Sequence, residues 1–63
     1  MTTLTTNTEY ILYNNDCEVF NCRIYKDNSS SVENVNVLHF CISIEDLQMY
    51  MLNNGLKIKE ILG

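Results

Sequence analysis

Residues 43–56 read SIEDLQMYMLNNGL, and this stretch carries the start, the apolar stripe and the stop of a helix. Ser43 suits a helix cap. Asp46, three places on, can reach back to close a capping box while its charge favours the positive helix end. Asn54 and Gly55 offer a left-handed stop, and Leu56 stands where a Schellman ending wants an apolar contact with Met51. Ile44, Leu47 and Met51 fall on one face, flanked by Tyr50 and Leu52, while Met49 points away with Glu45, Asp46 and Asn53. The spacing predicts a helix from about Ile44 to Asn53.

Upstream of it the chain reads as strands. Thr8 to Tyr13 has strand composition, Asn14 to Asp16 form a turn cluster, and a second strand runs from Cys17 to Lys26. Alternation puts Phe20, Cys22 and Ile24 on a core face and Val19, Asn21, Arg23 and Tyr25 opposite. A three-residue loop at 14–16 sets Tyr10 against Phe20, whereas a two-residue loop changes which side chains meet. Asp27 to Ser31 reads as a polar surface loop. A third strand is expected from about Asn34 to Ile42, with Leu38, Phe40 and Ile42 on the core face and Val35, Val37, His39 and Cys41 on the other. After Gly55, the run Leu56 to Lys59 alternates like a short strand, although Ile58, Ile61 and Leu62 fit a helical turn equally well. The expected class is α+β: a small antiparallel three-stranded meander packed against one α-helix, with a short C-terminal strand or turn. Residues 1–7 read as a flexible tail and 8–63 as a single domain.

The 63 residues are 46% hydrophobic and 19% charged, which suits a globular domain with a small core. No apolar run reaches the roughly 18 residues of a membrane span. Met1 is followed by a threonine-rich stretch with neither a basic region nor an apolar core, so the expected location is cytoplasmic. The net charge is −4. Glu9, Asp16, Glu18, Asp27, Glu33, Glu45 and Asp46 face only Arg23 and Lys26 in the first 46 residues, and Lys57 and Lys59 come afterwards. An acidic front repels phosphate, so direct nucleic-acid binding is disfavoured.

Cys17, Cys22, His39 and Cys41 form a nominal set of four zinc donors. Strand parity opposes it: Cys17 and Cys22 are five apart and fall on opposite faces. The cysteines, odd in number and without a secretory signal, read as reduced apolar residues, with no metal and no cofactor expected. His39 lacks an orienting third group, and so short a chain can scarcely enclose a pocket, so no catalytic residues are assigned. Glu45 and Asp46 are adjacent on a helix and do not face each other. Leu47 to Gly63 has some helix–turn–helix flavour, but a recognition helix starting near Lys57 ends almost at once.

Apolar residues remain on the sheet face the helix leaves open and beside the helix stripe. Val19, Tyr25, Val35, Val37, His39, Met49 and Tyr50 are the candidate protein-binding residues, bordered by an acidic surface of Glu9, Asp16, Glu18 and Glu33. In size and charge the chain resembles the small acidic α+β proteins that phages and mobile elements use to block host enzymes. The leading expectation is a non-enzymatic module, forming a homodimer, that binds a larger protein as inhibitor or regulator. A nucleic-acid regulator using the C-terminal helix–turn unit and a small zinc-stapled domain are the alternatives.

Overall fold

In a computed structural model, which describes residues 4–63, the expected helix forms with the expected ends. Strands β1 (Thr8–Tyr13), β2 (Val19–Ile24), β3 (Ser30–Glu33) and β4 (Leu38–Cys41) precede helix α1 (Ile44–Asn53), and β5 (Lys57–Ile61) follows it. Ser43 Oγ accepts from the Asp46 amide at 3.1 Å. The Asp46 carboxylate accepts from the Ile42 amide at 3.2 Å, one residue further back than a capping box requires. At the other end Gly55 alone takes the left-handed conformation, with φ +63°, while Asn54 stays at −108°. The Leu56 and Gly55 amides return to the Met51 and Leu52 carbonyls, which closes a Schellman motif and buries Leu56.

The sheet has five strands, not three, in the order β4-β3-β2-β1-β5, with every neighbouring pair antiparallel. The fourth expected strand is present as β5, and it docks on the far side of β1. β4 and β5 therefore form the two edges and run parallel to each other, joined by α1 crossing one face. Leu47 is fully buried under that crossing, with Ile44, Tyr50 and Met51 packed around it. Tyr10, Leu12, Phe20, Cys22, Ile24, Val32 and Cys41 line the covered face.

Two departures from the sequence reading share a cause in the turns. The β1–β2 loop runs over 14–18, held by Asn14 Oδ1 accepting from the Asp16 and Glu18 amides, so Leu12 rather than Tyr10 lies opposite Phe20. The single strand expected over 34–42 is instead a turn followed by β4, and β3 joins Ser30 and Ser31, expected in a loop, to Val32 and Glu33, which the sequence reading assigns to no element. Asn34 Oδ1 accepts from the Asn36 and Val37 amides, and the Asn34 amide donates to the Val37 carbonyl at 2.9 Å. This side-chain turn pairs Val32 with His39 and Ser30 with Cys41. Val32 lies opposite Cys22 on the covered face, so His39 and Cys41 point inward as well. The expected inward set of Leu38, Phe40 and Ile42 is turned outward: register overrides the local apolar pattern.

Of the tail expected at 1–7, the first three residues lie outside the described residues. Leu4 packs against the core, and the Thr5 amide donates to the Tyr10 hydroxyl at 2.8 Å.

Candidate interaction surface

Three of the four nominal zinc donors are drawn toward or into the domain, and the fourth is left outside. Cys22 and Cys41 are buried on the covered face, His39 is partly buried, and Cys17 is exposed in the β1–β2 loop with φ +64°. Burial, and then the nearby Cys41, push the Cys22 thiol up to about 11. Cys41 is also raised, by burial first; the neighbouring Ser30 hydroxyl opposes this and Asp46 adds to it. Both are inert thiols at neutral pH rather than nucleophiles. Among the described residues, no three His, Cys, Asp or Glu side chains gather to hold a metal ion. The His39 ring stacks on Tyr50 at a centroid distance of 4.0 Å, which pins α1 to the edge strand.

On the open face the expected residues separate into groups. Glu9 pairs with Arg23 across β1 and β2, so its charge is locally neutralised. Tyr25 lies over Ser31, hydroxyl to hydroxyl at 3.1 Å, and accounts for the burial of a serine on that face. Asp16 stands apart in the β1–β2 loop. Met49 is exposed on the outer side of α1, and Tyr50 is engaged with His39.

Glu18, Val19, Glu33 and Val35 come together. They line one shallow groove with Asn21 and Asn36, between the start of β2 and the β3–β4 turn. Glu18 is held by the Asn14 side-chain amide at 3.1 Å, and Val35 stands 97% exposed at the tip of the turn. Val37, only marginally exposed, sits at the base of the same turn.

Sequence reasoning missed the β4 edge. Leu38 and Phe40, side by side on the open face of β4, are 60% and 65% exposed, and Ile42, in the bend that follows the strand, is 85% exposed. Ladder parity fixes where their backbone groups go. Since the Asn34 amide donates to the Val37 carbonyl, ladder alternation makes Val32–His39 and Ser30–Cys41 the hydrogen-bonded pairs, leaving the N–H and C=O of Leu38 and Phe40 pointing off the sheet. The Tyr25 amide donating to the Ser29 carbonyl gives the same parity from the other side, because it turns Ser31 and Glu33 toward β2. The two edges differ in chemistry. β5 carries Lys57, Lys59 and Glu60 and a bulge opposite Ile11 and Leu12, the usual protections of an edge; β4 carries no charge. The signal available in the sequence was the uncharged run from Val35 to Ile42, which reads as core only while its register is unknown.

Comparison with family models, with curated proteins and with solved structures found no match in any of the three. The residues after α1 form a strand, where a helix–turn–helix unit would need its recognition helix. No helix among the described residues is long and apolar enough to cross a membrane.

Proposed function

We propose that the chain is a non-enzymatic protein-binding module that acts by surface contact, as an inhibitor or regulator of a larger protein. The observation that carries this reading is the groove that Val19 and Val35 line together with Glu18, Glu33 and asparagines. Apolar contact area flanked by carboxylates is the composition of a patch that docks on a basic-rimmed protein surface: the apolar centre supplies affinity and the charges steer and orient. The net charge of −4 favours approach to such a target. The resemblance in size and charge to small acidic inhibitors of phages and mobile elements points the same way.

Affinity capture from the source cell tests the reading, comparing wild-type protein with a Glu18→Lys, Glu33→Lys variant. Both carboxylates are on the surface, so the variant is expected to fold. It is expected to lose a captured partner whose binding to the wild type weakens as salt rises. Capture that is insensitive to both the charge reversal and the salt would overturn the assignment.

A further inference from the structure

We propose that β4 is a homodimerisation edge, on which two copies pair β4 to β4 antiparallel about a twofold axis at Phe40. The groups left unpaired on this edge are backbone N–H and C=O in strand geometry, and their natural complement is another extended strand. Self-pairing at Phe40 is what the side chains allow without conflict. Phe40 meets its own copy, and Leu38 meets Ile42 of the second copy in both directions, so every open-face pair across the junction is apolar. A twofold contact needs a patch complementary to itself, and this triplet is. Charge selects the same edge. In a chain of net charge −4, no charged residue lies between Glu33 and Glu45, and the carboxylate drawn to this edge from outside that run, that of Asp46, is bound to the Ile42 amide at the end of the strand. The β5 edge would instead set lysines and a glutamate against a second set.

The backbone bonds follow from the register. Each Phe40 amide donates to the Phe40 carbonyl of the other copy, and each Leu38 amide is directed toward an Ile42 carbonyl. The Ile42 amide is already held by Asp46, which ends the shared ladder there. The two sheets become one, with both helices on the same side, and the apolar residues of β4 become central.

Sedimentation equilibrium of the purified chain and amide hydrogen exchange test this together. Wild-type protein is expected to be a dimer whose Leu38 and Phe40 amides gain protection as concentration rises through the dissociation constant. Phe40→Glu, at an exposed position, is expected to keep the wild-type circular dichroism and to raise that constant at least about tenfold, because like charges face each other across the axis. Ile61→Glu on the β5 edge is expected to leave it unchanged. A wild type that stays monomeric up to about 1 mM, a dimer in which Leu38 and Phe40 exchange freely, or one indifferent to Phe40→Glu would overturn the proposal. Protection of those amides only on adding a foreign strand-forming peptide would assign the edge to another protein and overturn self-pairing. The concentration dependence of exchange needs no variant, so it decides the matter even if Phe40→Glu fails to fold. None of these outcomes bears on the groove, whose test uses different residues.

Discussion

Cys22 couples the core to pH. Its thiol is 2% exposed and pushed from 9.0 to about 11, so the folded protein holds a proton that the unfolded chain releases earlier. A raised value means a stabilising contribution that is complete below the unfolded pKa and is lost as pH climbs through the folded one. Chemical denaturation at pH values from about 8 to about 11 should show the midpoint of wild-type protein falling from about 9.0 upward. The fall should be shallower in Cys22→Ala, and parallel curves for the two proteins would remove Cys22 as the cause. This side chain was legible in the sequence, because Phe20, Cys22 and Ile24 alternate within one strand and share one face, as found. Cys41 was not. Its own strand offers Leu38, Phe40 and Ile42 as the better apolar set, and only pairing with Ser30 turns Cys41 inward.

At the scale of elements, local chemistry was readable where it is self-contained. The helix needs only its own caps and stripe, so Ser43, Leu47, Gly55 and Leu56 could be assigned without knowing the sheet. Gly55 makes a sharp test, since its φ of +63° is costly for any residue with a Cβ, and that Cβ would stand 3.1 Å from the Asn15 side-chain nitrogen. Gly55→Ala should lower stability by about 1–2 kcal/mol, measured by urea titration. An Asn15→Ala background should recover only the steric part, because the backbone strain remains. A titration unchanged by Gly55→Ala would mean that the helix does not end in the left-handed turn. By contrast, β3 was illegible: Ser30 and Ser31 are buried polar residues in a strand of four, and their identity as strand comes from neighbours on both sides. The valines of the turn at 34–37 then made turn and strand read as one alternating run.

Over the whole molecule, the α+β class followed from a change of period between residues 8–42 and 43–55, whereas strand number and order depend on which edge α1 returns to. That return places β5 beside β1, so the sheet is finished by a pairing between strands on the order of 50 residues apart, whose closure entropy is met before any contact rewards it. The hairpins from β1 to β4 have short loops and no such delay. Folding is therefore expected to pass its barrier with the four-stranded part assembled and β5 undocked. Ile58, opposite Leu12 and half-buried on the core, reports on the last step. In stopped-flow chevrons Ile58→Ala should speed unfolding by about fivefold or more while changing the folding rate by less than about twofold. The opposite partition would place β5 in the nucleus. With β5 late, the species preceding the barrier carries an uncovered β1 flank in addition to β4, and the lysines of β5 protect the native sheet only after the chain has closed it.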